Sequence, residues 1–551
     1  MRKKLLAILL AAAMLTGLVA CGNGNSTTPA NTNSSAITET TENTGTEDVE
    51  DTDSQPAIDT SEHVVITYMT TGDKPTGDMA VTLDAMLKEL NAILTEKVNA
   101  ELEIYYIPWT DYLSNYNLTL ARMDGSVDLV VTGSDWLDSW PNAKNGAFLE
   151  LSEEMLKTYA PQTWASVPAE NWELCKYEGD IYLFPEDNYA QWTNHGFIYR
   201  IDWARDAGLA DGVHSWADMT EYFRWVKENV PELKIPWDSD GAVQGTLAGG
   251  YIASNSNYVA IDGISAGAMW GGNKDDLYTV YSPYMTETDL LVAFAKMMKE
   301  WDEIGVWKTD VLNNSSSTNR DDYKVGLVAA DQHHTQTWTG LVSHTLDNKI
   351  YDTDPDAETG FFYFGEESKN LVAMSITHGA MAISAASKNP ERALMVYDLL
   401  RNDAECYRLM CYGQQGISWD INEDGLRITP EGYNADTQNL GGMTNYWGGR
   451  NDDLEIKSAD RNRDAIDALY EEYDSIKIEY PYGQYVPDVD NVQSQINNIS
   501  EIHMNYMKQI AYGKYSGSAE DIVEEYQEAL KQAGIDDVTA ELQKQFDALY
   551  K

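Results

Sequence analysis

The chain carries many side chains that combine an aromatic ring with a polar group. It contains 16 Trp and 34 Tyr but only 9 Phe. Sugars offer flat C–H faces and rings of hydroxyls, so their sites stack Trp or Tyr on the faces and hydrogen-bond the hydroxyls with Asp, Asn, Gln or Arg. The composition favours a site for a hydroxyl-rich ligand, although Trp and Tyr also occupy half-exposed structural positions.

Four tryptophans are the strongest candidates for such stacking, because Gly, Asn, Asp or Ser flanks each of them in a predicted loop. They are Trp136, Trp192, Trp270 and Trp447. Weaker candidates are Trp109, Trp140 and Trp338. The helix-packing core is the expected place of Trp203 and Trp216.

Polar candidates lie in the same kind of loop. Asp73 and Lys74 follow the first predicted strand and Asp135 directly precedes Trp136, with an ordinary turn as the alternative. The guanidinium of Arg450 can donate two parallel hydrogen bonds to vicinal hydroxyls or to a carboxylate. Were the ligand an acidic sugar, Arg450 and Lys74 would be the expected counter-charges. The remaining polar candidates are Asn188, Gln191 and Asn194.

The first 21 residues predict an export signal that ends in a modified cysteine. Basic residues follow Met1, a short apolar run comes next, and residues 18–21 read Leu-Val-Ala-Cys. This pattern is typical of a secretory signal, and the apolar run is shorter than the roughly 20 residues that span a bilayer. Residues 18–21 resemble the lipobox of bacterial lipoproteins. The resemblance implies a signal peptide at 1–20 and an acylated Cys21 that holds the chain on the extracellular face of the cell membrane.

Residues 21–62 are predicted to be a disordered acidic tether. From Gly22 to Glu62 there are nine acidic residues and no Lys or Arg. Almost no large apolar side chain occurs there, so the segment cannot bury enough surface to fold. A coil of about 40 residues spans roughly 35 Å root mean square. Such a tether would lift a folded body clear of the lipid headgroups.

Charge and cysteine content exclude other classes of protein. A net charge of -51 excludes a general binder of nucleic acid, since such proteins need Lys and Arg to displace counterions. After Cys21 the chain has only Cys175, Cys406 and Cys411, and the last two are five residues apart, a poor spacing for one helix face. We expect the thiols to be reduced and mostly buried. We also expect that the protein binds no cofactor, has no second membrane-spanning segment and is a monomer.

The body alternates strands and helices. The runs 63–69 and 100–107 read as strands, and the helical run Val81 to Val98 lies between them, which predicts a βαβ unit. Further strands are predicted at 127–131 and 378–384. An amphipathic helix is predicted from Ser518 to Ala533.

One local motif has two interpretations. Residues Asp420–Glu431 satisfy the pattern of an EF-hand calcium loop. Apolar residues on both sides of 423–425, and the poor helix formers Gly416 and Pro430 in the flanks, favour a β-hairpin turn instead. Calcium is the less favoured alternative.

Enzymatic alternatives have little support. The chain lacks a His-Glu-x-x-His helix and a Walker loop. His333 and His334 are the only adjacent histidines, and strand neighbours point apart, so no metal site is expected. A surface glycoside hydrolase, which needs two carboxylates roughly 5 to 10 Å apart, and a peptide or signal sensor remain alternatives.

The run Gly196–Gly208, followed by Ser215-Trp-Ala-Asp-Met, resembles the signature of family 1 extracellular solute-binding proteins, the capture subunits of ABC sugar importers. The tail 518–551 is similar to the C-terminal extension of Gram-positive lipoprotein members for aldouronate or other oligosaccharide uptake. The resemblance departs mainly at 237–281. Other segments that agree in order are Thr71–Lys74, Asp128–Trp136 and Gly179–Pro185.

The resemblance implies an α/β, two-lobed periplasmic-binding-protein (Venus flytrap) fold with a helical C-terminal extension. Ligand would lie in a cleft between the lobes, and a hinge would close on it. Lobe 1 would comprise 63–190 and 330–376, and lobe 2 would comprise 191–329 and 377–551. Loops at the carboxyl ends of strands would face the cleft. The implied partners are a carbohydrate and the permease subunits of an ABC transporter.

Substitution Cys21→Ala tests the anchor. The variant protein is expected in the culture medium, folded and competent to bind ligand, because only the acylation site is lost. Fractionation and uptake assays measure this. Unimpaired uptake by cells that release the variant would contradict a role of the anchor in import.

Overall fold

The structure is a computed structural model that describes residues 58–187, 194–233, 235–239, 241–264, 267–314, 318–345 and 348–550. From Asp59 onward the chain forms one compact unit. The predicted signal peptide 1–20, Cys21 and the tether up to residue 57 lie outside the described residues. The candidates Asn188, Gln191 and Trp192 lie outside them as well.

Short strands are distributed along the whole body. They are β1 (Val64–Thr71), β2 (Ala100–Ile107), β3 (Leu129–Thr132), β4 (Lys176–Tyr177), β5 (Asp180–Ile181), β6 (Phe184–Pro185), β7 (His195–Arg200), β8 (Tyr258–Ala260), β9 (Gly271–Asn273), β10 (Asp276–Tyr281), β11 (Ala330–His334), β12 (Thr359–Tyr363), β13 (Val372–Ala373), β14 (Ala380–Ile383), β15 (Asp420–Ile421), β16 (Arg427–Ile428) and β17 (Ile478–Glu479).

Helices connect and cover these strands. They are α1 (Gly77–Val98), α2 (Tyr112–Ala121), α3 (Ser139–Lys144), α4 (Glu153–Tyr159), α5 (Pro161–Ser166), α6 (Ala169–Leu174), α7 (Ile201–Asp206), α8 (Trp216–Asn229), α9 (Gln244–Asn255), α10 (Pro283–Thr286), α11 (Thr288–Ile304), α12 (Asn319–Lys324), α13 (Thr335–Leu341), α14 (Ile350–Thr353), α15 (Pro390–Asn402), α16 (Ala404–Tyr412), α17 (Ala435–Gln438), α18 (Gly441–Thr444), α19 (Arg463–Ile476), α20 (Gln493–Ala511), α21 (Ala519–Ala533) and α22 (Ile535–Tyr550). Short 3₁₀ helices are Val311–Asn313, Trp447–Gly449, Asp452–Leu454 and Asp490–Val492.

The first lobe is built on a five-stranded sheet in the order β2-β1-β3-β14-β6. Strands β1, β2 and β3 are parallel, and β14 runs antiparallel to β3. Helix α1 buries Leu83, Met86, Leu90 and Leu94 in the core of this lobe. The predicted βαβ unit is therefore confirmed.

The second lobe combines two three-stranded sheets, β11-β7-β12 and β10-β9-β8, with a larger helical layer. Its hydrophobic core is separate from that of the first lobe and includes side chains of α8, α11, α20, α21 and α22. Ser518 and Asp521 form a reciprocal capping box at the start of α21, and Gly534 ends the helix in the left-handed conformation with φ 95°. The predicted helical C-terminal extension is confirmed.

The division of the chain between the lobes differs from the prediction. In the segment 330–376, β11 and β12 pair with β7 of the second lobe. In the segment after 377, β14 pairs with β3, and α15 and α16 pack into the first core. The segment 330–363 therefore lies in the second lobe and the segment 380–412 in the first, the reverse of the prediction, whereas α20, α21 and α22 pack into the second core. The reason is that a strand's hydrophobicity indicates burial but not the strand with which it pairs.

Several local predictions are also decided by the structure. The segment 420–428 forms an antiparallel β15–β16 hairpin, as predicted. Cys175, Cys406 and Cys411 are free, and the first two of them are buried. Among the described residues no helix has the length and apolar character needed to span a membrane.

The C-terminal extension is expected to stabilise the second lobe. Leu530 of α21 is fully buried in that core, so Leu530→Ala should lower the free energy of unfolding by about 2–5 kcal/mol. Urea unfolding followed by Trp fluorescence measures this change. The matched control is Leu549→Ala, whose side chain is 61% exposed and should change stability by no more than about 0.5 kcal/mol. If both variants change the free energy of unfolding by equally small amounts, the C-terminal extension does not stabilise the second lobe.

Candidate functional site

The chain passes between the lobes along three segments. The first follows β6 and leads to β7, the second runs from β13 to β14, and the third lies between Leu454, which packs on the first core, and α19. Strands β13 and β17 pair in parallel, Val372 with Ile478 and Ala373 with Glu479. A short ladder of backbone hydrogen bonds therefore joins the start of the second crossing to the strand that follows α19.

An aromatic shelf of Trp109, Tyr112, Trp136 and Trp447 lies on the first lobe beside these crossings. The ring centroids of Trp136 and Trp447 are 5.6 Å apart, and those of Trp109 and Trp447 are 6.0 Å apart. Tyr112 lies 5.8 Å from Trp109 and 6.2 Å from Trp136. Trp109 is 45% exposed, whereas the other three are partly buried. The shelf offers flat apolar faces to a ligand.

The sheet explains why these rings meet. Trp109 follows the end of β2 and Trp136 follows the end of β3, and parallel strands bring their carboxyl ends to one edge. Trp447 comes from a distant 3₁₀ helix that packs against β14. A Cβ on the next residue, Gly448, would lie 2.1 Å from the Ala380 carbonyl oxygen. Only glycine allows this close approach.

A partly buried ion pair lies next to the shelf. Asp135 Oδ1 is 2.7 Å from His378 Nδ1, and Trp136 Nε1 donates to the His378 carbonyl at 2.8 Å. Burial opposes the positive charge of His378, but Asp135 outweighs it and raises the pKa of His378 to about 9. A Cβ on Gly133 would lie 2.3 Å from Trp136 Nε1. The pair and the indole therefore form one unit around a glycine.

Two further carboxyl groups border this unit. Burial raises the pKa of Glu186 to about 8, against the lowering effects of His378 and Arg450. Burial and, to a smaller extent, the charge of Asp135 raise the pKa of Asp262, in the second lobe, to about 7. Asp262 is held by its backbone N–H, which donates to the Tyr480 hydroxyl at 2.9 Å. Groups from both lobes thus share one electrostatic environment.

Two predicted polar residues lie at the edge of the shelf. Asp73 and Lys74 are exposed on the loop after β1. Asn445, two residues before Trp447, donates from Nδ2 to the Thr71 carbonyl at 2.7 Å. The Asp73–Lys74 loop and the Trp447 segment are therefore anchored to each other.

The other polar candidates are occupied within the protein. Asn194 donates from Nδ2 to the Tyr473 hydroxyl at 2.9 Å and accepts from Thr335 Oγ1 at 2.8 Å. Arg450 Nε donates to Asp452 Oδ1 at 2.8 Å. Burial opposes the charge of Arg450, but nearby carboxylates outweigh it and raise its pKa. Asn194 therefore positions the first crossing.

The structure does not bring Trp270 to the site. This residue is fully buried in the second core, and its Nε1 donates to Thr539 Oγ1 at 2.9 Å. The prediction of a stacking role is wrong, because the C-terminal extension covers the loop that carries Trp270. Of the weaker candidates, Trp140 and Trp338 are buried. The core position predicted for Trp216 is confirmed.

Four site residues were not predicted from the sequence: Tyr112, Glu186, Asp262 and His378. The last three come from separated parts of the chain, and no local pattern distinguishes them. Tyr112 did have a signal, since it lies three residues after Trp109. The side chains of His333 and His334 do not point apart, as was expected for neighbours on a strand. Their ring centroids are 4.0 Å apart, because β11 ends at His334. No cluster of three or more His, Cys, Asp or Glu among the described residues is arranged to hold a metal ion.

Comparison with known proteins defines the class of this protein. Residues 76–404 match the family described as bacterial extracellular solute-binding protein. This is more than half of the chain, and the chain belongs to that family. Residues 481–551 match a domain of unknown function.

Particular relatives resemble almost the whole length of the chain. A carbohydrate ABC transporter substrate-binding protein of Streptococcus pneumoniae is 23% identical and covers 98% of this chain and 96% of its own. The crystal structure of an N-glycan transport solute-binding protein from the same species has a TM-score of 0.67 at 20% identity, covering 88% of this chain and 99% of that one. A solute-binding protein of Bifidobacterium longum infantis, described as binding HMO, has a TM-score of 0.58 at 16% identity, covering 89% and 99%. These neighbours confirm the two-lobed solute-binding fold.

Asp135→Asn should lower the pKa of His378 from about 9 toward its ordinary value of 6.5, because burial still opposes the positive charge and the largest favourable partner is lost. NMR titration of the histidine rings measures this. The exposed Asp436→Asn is the control and should leave the His378 pKa unchanged. A His378 pKa that stays near 9 in the Asp135 variant would contradict the pairing.

The same pair makes stability depend on pH. The folded state favours protonated His378, so its contribution is complete below pH 6.5 and is lost as pH rises through about 9. The shift corresponds to on the order of 3 kcal/mol in the free energy of unfolding. This loss should be smaller in the Asp135→Asn variant when both proteins are unfolded in urea at pH 6 and pH 9.5.

Proposed function

We propose that this protein is an extracellular solute-binding protein that captures a carbohydrate between its lobes and delivers it to an ABC importer. The single observation that carries the proposal is the aromatic shelf beside the Asp135–His378 pair. Stacking surfaces next to hydrogen-bonding groups match the two kinds of surface that a sugar offers.

The ligand is proposed to be a neutral glycan. The carboxyl groups of Asp135, Glu186 and Asp262 surround the site, and Asp135 already pairs with His378. Arg450 already donates to Asp452. A uronate would bring a further negative charge to carboxyl groups, so the expectation that Arg450 serves an acidic sugar loses support.

The names of the relatives support this class of ligand. The Streptococcus pneumoniae relative is named a carbohydrate ABC transporter substrate-binding protein, and the two structural neighbours are described as an N-glycan transport protein and an HMO-binding protein. We extend their common class, the carbohydrate, to this chain and propose that the ligand is an oligosaccharide.

The proposal also covers the membrane anchor, the oligomeric state and the absence of chemical turnover. Acylation of Cys21 would keep a monomeric capture domain near its permease, and the acidic segment 21–62 would give it reach. The protein is proposed to bind without chemical turnover. Stoichiometric binding with unchanged glycan supports this, whereas release of hydrolysis products would favour the glycoside hydrolase alternative.

A panel of mono- and oligosaccharides tests the ligand class by thermal shift. A ligand at 100 times its dissociation constant adds about 2.7 kcal/mol of stability, which gives a measurable rise in melting temperature. If no glycan shifts the transition, the carbohydrate proposal is wrong and the fold assignment stands.

Trp447→Ala should weaken binding of the best glycan roughly tenfold, because an aromatic contact contributes about 0.5–1.5 kcal/mol beyond its buried area and 1.4 kcal/mol corresponds to tenfold. Isothermal titration calorimetry measures the affinity. Tyr105→Ala is the control, since Tyr105 is 36% exposed on β2 outside the shelf and should leave affinity unchanged. If the Trp447 variant and the parent protein bind the glycan with equal affinity, the aromatic shelf is not part of the binding site.

A further inference from the structure

The second lobe contains a cavity of about 470 Å³ beside the crossings. Most of the wall surface is apolar, and the polar side chains on it are those of Asn194, His195, Thr246, Tyr258, Asp262, Asn370 and Tyr480. Side chains from separate segments form the apolar part, and Gly249 and Gly250 of α9 let Met269 and Phe364 pack closely against the helix. Representative residues of this wall are Gly245, Gly249, Met269, Phe364, Val372 and Met374.

The cavity belongs to the cleft and not to the interior of the lobe. Asn194 and His195 from the first crossing line it, as does Ala373 from the second. Asp262 lines it too, and this residue is close enough to Asp135 of the first lobe for their charges to interact. A ligand on the aromatic shelf can therefore extend into the cavity.

An apolar cavity discriminates between sugar substituents. A hydroxyl that enters without a hydrogen-bond partner costs about 1–3 kcal/mol, whereas a methyl group gains roughly 0.8 kcal/mol on burial. An unmodified sugar ring, with hydroxyls on most carbons, is poorly suited to this wall. A ring with a small apolar substituent fits it better.

Polar groups at two sides of the cavity narrow the choice of substituent. Asp262 supplies a carboxyl oxygen that accepts a hydrogen bond. Helix α9 begins at Gln244 without a side-chain cap, and Gly245 and Thr246 of its first turn line the cavity. The first N–H groups of a helix have no partner within the helix, so they are donors for a carbonyl oxygen.

We propose that this cavity is a subsite for the acetamido group of an N-acetylhexosamine residue. The methyl group packs against Met269, Phe364 and Met374, the amide N–H donates to Asp262, and the carbonyl oxygen accepts from the first turn of α9. The acetamido group brings one methyl, one donor and one acceptor, which matches the three kinds of surface present. The proposal rests on the proposed carbohydrate function and specifies its substrate class.

Matched disaccharides test the subsite in the full mature chain. Cellobiose and N,N′-diacetylchitobiose differ by acetamido groups, and lactose and N-acetyllactosamine form a second such pair. We expect the acetylated member of at least one pair to bind tenfold more tightly by isothermal titration calorimetry. If glycans bind but neither pair shows a preference for its acetylated member, the subsite proposal is wrong and the proposed function stands. Failure of every glycan to bind would instead reject the proposed function.

A filled cavity should remove the preference. Ala253 of α9 is partly buried on the wall of the cavity, so Ala253→Leu is expected to reduce affinity for the acetylated member to that of its partner. Affinity for the unacetylated member should stay within twofold. An equal loss for both members would overturn the proposal, because the cavity would then bind the ring and not its substituent.

Two further variants keep the test independent of folding. Ala540→Leu makes the same substitution at an exposed position of α22 and should retain the full preference. Thr246→Leu fills the cavity from another position of α9 and should act like Ala253→Leu if that variant does not fold. Melting temperatures establish that each variant is folded, and a preference that survives in a folded filled variant would overturn the subsite.

Discussion

Backbone hydrogen bonds of the stretch from Val372 to Ala380 hold the lobes and the site in one arrangement. At its start Ala373 pairs with Glu479 of β17 in the second lobe, and at its end Ala380 pairs with Thr132 of the first sheet. Between these points the Thr377 carbonyl accepts from the Ser134 N–H at 2.9 Å. A buried backbone polar group needs a partner, so this stretch cannot shift alone. Any change in its position also moves His378.

Close approach of backbone to ring fixes the details of the site. Gly133 lies against the indole of Trp136, and Gly448 lies against the backbone of β14. A side chain at either position would push the shelf away from the sheet edge. The shelf is therefore rigid where its tryptophans join the first lobe, while Trp109 at its rim is partly exposed. Rigid aromatic surfaces lose little freedom when a ligand binds.

Local electrostatics at the site differ from those of the whole chain. The protein has a net charge of -51, yet the carboxylate nearest the shelf, Asp135, is balanced by His378. Burial keeps the neighbouring Glu186 largely protonated at neutral pH, since its pKa is about 8. The acidic surface and the cleft thus serve different purposes. The surface maintains solubility, and the paired groups of the cleft suit a neutral, hydroxyl-rich ligand.

The sequence by itself determined the βαβ start of the first lobe, the helix after Ser518, the hairpin at 420–428 and the family, because each depends on local periodicity, capping or a run of adjacent residues. It also indicated Trp136 and Trp447. Only the tertiary structure decided that Trp270 is buried, that β14 joins the first sheet and that His378 pairs with Asp135. These outcomes depend on which distant segments pack together. The hydrophobic pattern of a segment indicates that the segment is buried, but it does not indicate the segment against which it packs.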